Sequence, residues 1–140
     1  MIVLDTNVIS ELMRAEPDQR VFAWVDAQER MELYTTTVVQ AEILYGVACL
    51  APGHRRNALA AQAGAIFDVE LAGRVLPFTA EAAQAFADLA ADRRRQGRAI
   101  PRFDGRIAAC ALAFGTAIAT RDVGAFEDCG LSIINPWDTP

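Results

Sequence analysis

Short apolar runs, each too brief to be a helix, recur along this chain and alternate with segments of helical period, and this alternation constrains the fold more than any other feature. Ile2-Val3-Leu4 is the first run; Leu33-Tyr34-Thr35, Arg74-Val75-Leu76-Pro77, 116–119 and 131–134 follow. Between them lie a helix ending near Met13, one that places Val21, Trp24, Val25 and Gln28 on a single stripe, helices over about 38–50 and 55–67, a long one with Ala82, Phe86, Leu89 and Ala90 on one face, and one over 103–114. Strands of this kind, each feeding a helix, predict an α/β fold with a mainly parallel central sheet flanked by helices in three layers. A chain of 140 residues, 53% of them hydrophobic, suits one domain over 1–140.

Local signals mark the joints. Thr6 and Asn7 offer capping oxygens to the first helix, Pro17 suits the first position of the second, and Thr37 followed by Gln40 has the spacing of a capping box. Pro52-Gly53 breaks a helix, Thr79 caps the long one, and Gly97 and Gly115 are stops. A short helical turn is expected over 123–126.

Composition narrows the function. All thirteen basic residues are arginine, so chemistry that needs a lysine amine, whether P-loop phosphate binding or a Schiff base, is excluded. A net charge of −5 opposes nucleic-acid binding unless the arginines are clustered. Cys49, Cys110 and Cys129 match neither a disulfide framework nor a zinc site and read as buried free thiols in a reducing cytoplasm. An acid at position 5 interrupts any signal-peptide apolar region, so export is not expected, and the apolar stretch 107–119 is too short for a membrane span. His54 stands alone, with no second imidazole to build a metal-free acid–base pair, and is expected to be exposed and inert. Trp24, Trp137, Phe86, Phe114 and Phe126 are assigned to packing.

Ligands of parallel α/β sheets bind beyond the carboxyl ends of the strands. Asp5 follows the first strand and Asp122 lies just past the 116–119 strand, so both stand where a site is expected. Asp104 begins its helix, where it is either a cap or a ligand; Glu42 lies in an apolar helical segment, where it marks either the solvent face or a paired buried charge. Carboxylates gathered at one sheet end repel one another, and a hard divalent cation, Mg²⁺ or Mn²⁺, is the usual compensation; such a centre hydrolyses phosphodiesters.

Met1-Ile2-Val3-Leu4-Asp5-Thr6-Asn7, Ala41-Glu42, Asp104 with Ile107-Ala108-Ala109, Ala119-Thr120-Arg121-Asp122 and the closing Asn135-Pro136-Trp137 together resemble the PIN-domain ribonucleases. Within that family the chain is most similar to the VapC and FitB-like toxins of type II toxin–antitoxin pairs. The resemblance implies a PIN-like three-layer domain in which Asp5, Asp104 and Asp122 hold one or two Mg²⁺ ions, Glu42 completes the shell or orients the attacking water, and Thr6, Asn7 and Thr120 fix the carboxylates. It further implies RNA as substrate, 5′-phosphate and 3′-hydroxyl products, a cognate antitoxin that is a small DNA-binding protein, a homodimer and a larger hetero-oligomer with the antitoxin. The helices over 38–50 and 58–67 are candidate interface surface. The chain departs from its relatives at Pro101-Arg102-Phe103, where small residues usually precede the aspartate.

Arg98, Arg102, Arg106 and Arg121 are candidates for gripping the RNA backbone, with Arg93, Arg94 and Arg95 either joining them or forming a solvated helix end; Arg121 could equally pair with an acid. Two other readings compete. One is a catalytically weak PIN-fold binding module that forms a DNA-binding regulatory complex with its antitoxin. The other is an aspartate-dependent phosphatase with Asp5 as nucleophile, which lacks the second aspartate, Asn7 standing in its place, and the lysine that such enzymes need.

Overall fold

The computed structural model describes residues 1–139. Strands β1 (Ile2–Leu4), β2 (Leu33–Thr36), β3 (Val75–Leu76), β4 (Ala117–Ala119) and β5 (Ile133–Ile134) form one sheet in the order β3-β2-β1-β4-β5, every pair parallel. Helices α1 (Thr6–Leu12), α2 (Gln19–Asp26), α3 (Thr37–Ala48), α4 (His54–Gly64), α5 (Ala80–Arg95), α6 (Arg102–Phe114) and α7 (Val123–Phe126) flank it. The expected strand and helix sequence is therefore present. β1 matches its apolar run, β2 extends one residue further and β3, β4 and β5 are shorter than theirs; a 3₁₀ turn (Arg30–Glu32) precedes β2, and α4 passes into a π-helical segment (Ala65–Glu70).

β1 is central because both its faces are apolar: Val3 is fully buried and Leu4 nearly so. The chain builds outward from β1 through β2 to β3, then returns to the other side of β1 with β4 and β5. The strand order thus reverses between β1 and β4, and the crevice beyond their carboxyl ends is the expected ligand position of such a sheet. Register brings Leu4 opposite Ala119, and Asp5 N–H donates to the Ala119 carbonyl at 3.0 Å, so Asp5 and Thr120 emerge side by side.

Several local expectations are corrected. Asp5, not Thr6 or Asn7, caps α1: its Oδ1 accepts from Thr6 N–H at 2.8 Å. Asp18 caps α2, so Pro17 precedes the cap and is not the first helical residue. Thr36 caps α3 by accepting from Val39 N–H, and the Thr37/Gln40 box does not form because Thr37 Oγ1 accepts from Phe78 N–H instead. Thr79 caps α5 as expected. Gly115 ends α6 in the left-handed region at φ +66°, which a side chain would strain.

Phe126 and Trp137 are core residues and Trp24 and Phe86 pack against the core, whereas Phe114 is over a third exposed. Cys49 is exposed, contrary to expectation, because it follows α3 on its outer side; Cys110 and Cys129 are buried free thiols. His54 is exposed at the start of α4. Leu44 and Tyr45 of α3 are exposed. Among the described residues no helix is long and apolar enough to cross a membrane.

Candidate active site

Asp5, Glu42, Asp104 and Asp122 line a single open cleft of about 510 Å³ beyond the carboxyl ends of β1 and β4. Four elements deliver them. Asp5 leaves β1 at the head of α1, Glu42 sits in the first half of α3, Asp104 is the third residue of α6, and Asp122 follows β4 directly before α7. The capping alternative for Asp104 is not realised, since Pro101 occupies the cap of α6 with no side-chain hydrogen bond there. Pro101, Arg102 and Phe103 are exposed, so the bulk that distinguishes this stretch lies on the surface.

Asp5 is the most enclosed of the four, at 3% exposure. Its Oδ1 accepts from Thr6 N–H at 2.8 Å and its Oδ2 from Thr120 Oγ1 at 2.7 Å. Each oxygen therefore keeps a further lone-pair direction free. Thr120, fully buried, is the hub: having donated to Asp5, its hydroxyl accepts from Asn7 Nδ2 at 3.2 Å and from Asp122 N–H at 3.0 Å. One donor and two acceptor sites are all that a hydroxyl has, and all three are used. Asn7 Oδ1 in turn accepts from Arg121 N–H at 3.2 Å, and Thr6 Oγ1 donates to Glu42 Oε1 at 2.7 Å. Of the three residues read as supporting groups, Thr6 and Thr120 bond acid side chains directly and Asn7 reaches them through Thr120.

The electrostatics are those of an uncompensated acid cluster. Desolvation and the nearby charges of Asp5, Asp122 and Glu42 push the Asp104 carboxyl up to about 6. Burial raises Asp5 as well, opposed by its hydrogen bonds from Thr120 and Thr6 and reinforced by Glu42 and Asp122. No arginine lies close enough to Asp104 to offset this. Oxygen donors from four carboxylates, poorly served by the protein's own cations, fit a hard divalent ion such as Mg²⁺. As placed, no group of three or more His, Cys, Asp or Glu side chains among the described residues is arranged to hold a metal ion.

The arginines divide. Arg121 lines the cleft, its guanidinium 5.2 Å from the centroid of the Trp137 ring, and among the described residues it forms no ion pair with an acid. Arg98 is engaged by Gln96 and Asp128, Arg106 lies 5.6 Å over the Phe86 ring, and Arg102 is exposed at the first turn of α6; none of these three lines the cleft. Arg93 is 5% exposed and donates to the carbonyls of Arg98, Ala125 and Glu127, so it is a structural clasp and not part of a solvated helix end. Three lining residues escaped the sequence reading, Ser10, Glu11 and Arg14. The signal for them was weak: Glu11 stands four residues, about one helical turn, beyond Asn7 on α1, which puts it on the same side of the helix.

The PIN domain family matches residues 2–129. Over 138 residues the chain is 49% identical to VapC ribonuclease Y4jK of Sinorhizobium fredii, with 99% of each chain covered. Over 137 residues it is 38% identical to the toxin FitB of Neisseria gonorrhoeae, covering 98% of this chain and 99% of FitB. Among solved structures, one of FitAB bound to an IR36 DNA fragment contains a chain that superposes with a TM-score of 0.92 at 37% identity, over 100% of this chain and 98% of that one.

Proposed function

This chain belongs to the PIN-domain family, and on that premise we propose that it is a magnesium-dependent endoribonuclease, the toxin of a toxin–antitoxin pair. The observation that carries the reading is the convergence of Asp5, Glu42, Asp104 and Asp122 on one cleft at the sheet's switch point, with Asp104 pushed up to about 6 by burial and, after it, by its acidic neighbours. Similarity to a VapC ribonuclease and to the toxin FitB supports the same assignment.

Asp5, Asp104 and Asp122 would hold the cation, with Glu42 completing the shell or orienting the attacking water. When bound, Mg²⁺, or Mn²⁺ in its place, supplies Lewis acidity toward the phosphoryl oxygen and an acidified water. The remaining work belongs to the protein. Thr120 and the Thr6 amide hold the Asp5 carboxylate in one orientation, and Thr6 Oγ1 ties Glu42 to the same helix start, so two of the acids share one rigid support. Asn7 joins the hub to the Arg121 backbone and so sets the course of the loop that carries Asp122. Arg121 stands at the cleft wall as a contact for RNA phosphate.

The partners proposed are a cognate antitoxin that binds DNA, a second copy of this chain in a homodimer, and a larger assembly of both in the cytoplasm. A second reading is a catalytically weak binding module that forms a DNA-binding regulatory complex with its antitoxin; the solved structure of FitAB bound to an IR36 DNA fragment supports the DNA-binding part of it.

The deciding experiment is cleavage of a panel of structured RNAs by the antitoxin-free protein with Mg²⁺, with Mn²⁺ and with chelator, alongside Asp5→Asn and Asp104→Asn. Cutting that needs the metal and disappears in both variants is expected. Equal behaviour of wild type and variants, or indifference to chelator, moves the assignment to the binding module.

A further inference from the structure

Glu11 is a buried carboxylate at the same cleft that the hydrolysis just described does not use. Its side chain is 9% exposed, and it is held from two directions: Oε1 accepts from Asp18 N–H at 2.8 Å, and Arg14 Nη1 lies 3.3 Å from both carboxylate oxygens. Arg14 is the counter-ion of this enclosed carboxylate.

The pairing is lopsided. Arg14's side chain is 66% exposed, and among the described residues only Nη1 of its guanidinium has a partner. Nε and Nη2 retain their donors, in a planar fork that suits a phosphate. One anchored edge also reduces the rotamer freedom that a surface arginine loses on binding. Arg14 lines both the acid-lined cleft and the adjoining cleft of about 910 Å³ between α1, α3 and α4, and so marks the junction of the two. It lies two residues past the end of α1, lines the same cleft as the acids, and is not among the charges acting on Asp5 or Asp104, so it is placed for a different phosphate of the same strand.

We propose that Arg14, oriented by Glu11, anchors an RNA phosphate adjacent to the one being hydrolysed, with Glu11 as its positioning residue. The inference rests on the nuclease reading. Arg121, on the β4–α7 loop, supplies a cation from a separate element of the same cleft, so the strand is held by arginines while the four acids are left for the metal and the scissile phosphate.

The test is steady-state cleavage of a short randomised single-stranded RNA in Mg²⁺ by wild type, Arg14→Ala, Arg14→Lys, Glu11→Gln and the control Arg30→Ala, each over a series of salt concentrations. Arg30 pairs with Glu70 just before β2, at the opposite end of the sheet from the cleft. For Arg14→Ala, KM is expected to rise roughly five- to tenfold with kcat within about twofold of wild type, and the slope of log KM against log salt to become shallower by ~0.7, the loss of one single-strand phosphate contact. Arg14→Lys should recover the slope but only part of KM, because charge returns without the fork. Glu11→Gln should raise KM and leave the slope near that of wild type. If wild type does not cut RNA in Mg²⁺, the nuclease reading itself fails. If wild type cuts and Arg14→Ala matches Arg30→Ala in KM and salt slope, the anchor is overturned while the nuclease stands. An Arg14→Ala loss confined to kcat overturns it too.

Discussion

The Thr120 hydroxyl donates to Asp5 Oδ2 across 2.7 Å while accepting from the backbone of Asp122 and the side chain of Asn7, so one buried oxygen ties together two of the four acids. β4 ends one residue before Thr120 and β1 one residue before Asp5, and the parallel register sets the two side by side. The junction is therefore a product of strand pairing, and disturbing it should be felt in the chemistry before it is felt in the fold.

Thr120→Val tests this directly, because it keeps the shape and removes the hydroxyl. It leaves Asp5 short of a donor and two donors without their acceptor, at a cost of about 1–3 kcal/mol in stability. Cleavage and metal affinity are expected to fall by roughly 10- to 100-fold, the range seen when the partner of a metal-ligating group is lost. Thr120→Ser keeps the hydroxyl and should retain most of the activity. Isothermal titration with Mn²⁺ and a cleavage assay on the three proteins check both claims. Unchanged metal affinity in the valine variant would remove Thr120 from the supporting role.

Asp104 makes a statement about pH. Its carboxyl is raised from the ordinary 3.8 to about 6, so between those values the native protein holds a proton that the unfolded chain has released. Stability in chelator therefore falls as pH rises through that window and is flat with respect to this group above it. The full shift corresponds to about 3 kcal/mol; because the carboxyl is half-buried and solvent screens it, a fall of about 1–2 kcal/mol is expected. Urea unfolding at intervals from pH 4 to pH 7 should show the decline in wild type and a smaller one in Asp104→Asn, where the raised Asp5 carboxyl still contributes in the same direction. A variant as pH-dependent as wild type would mean that Asp104 is not the group that titrates.

The sheet and two of the four acids, Asp5 and Asp122, were legible in the sequence because they depend on local pattern, whereas Glu42 and Asp104 were ambiguous by themselves and joined the site only through the family resemblance. Short apolar runs ending in Asp5 and near Asp122 declare strand ends, and a parallel sheet gathers strand ends at one edge. What was not legible depends on a distant group. Thr35, Thr36 and Thr37 are indistinguishable as capping residues in isolation. In the fold each has its own partner: Thr35 Oγ1 donates to the Leu4 carbonyl, Thr36 accepts from Val39 N–H and Thr37 from Phe78 N–H. Glu11 reads as an ordinary helix carboxylate until the turn into α2 brings Asp18 N–H against it. Arg93, in a run of three arginines, reads as solvated until carbonyls 32 and 34 residues further along close over it.

Gly105, directly after Asp104, is required by packing and not by backbone conformation. A Cβ there would meet Phe86 Cε2 at 3.0 Å and Ile100 Cγ2 at 3.2 Å, with α5 pressed against this turn of α6. Alanine has the better helix propensity by about 1 kcal/mol, but overpacking of a tight contact costs about 1–3 kcal/mol. Gly105→Ala is therefore expected to lower stability by about 1 kcal/mol and, since the displaced turn carries Asp104, to weaken Mn²⁺ binding as well. Equal or higher stability by chemical denaturation would show that the Phe86 ring yields freely.

Arg93 fastens the segments on either side of the site. Its Nε donates to the Arg98 carbonyl at 2.9 Å and its Nη1 to those of Ala125 and Glu127 at 3.1 and 3.0 Å, joining the loop that leads into α6 with the chain that leaves α7. Asp104 follows the first of these segments and Asp122 precedes the second. Arg93→Met fills much of the same space without the donors and leaves three carbonyls to find other partners, at a cost of about 3 kcal/mol or more. Arg95→Met, an exposed neighbour on the same helix, should change stability by no more than about 0.5 kcal/mol. Amide hydrogen exchange in chelator is expected to show lost protection in both segments of Arg93→Met, around Arg98 and around Glu127, while β1 and β2 stay protected. Loss spread evenly over the whole chain would instead mean that Arg93 supports the fold at large and has no particular hold on the two segments that frame the acids.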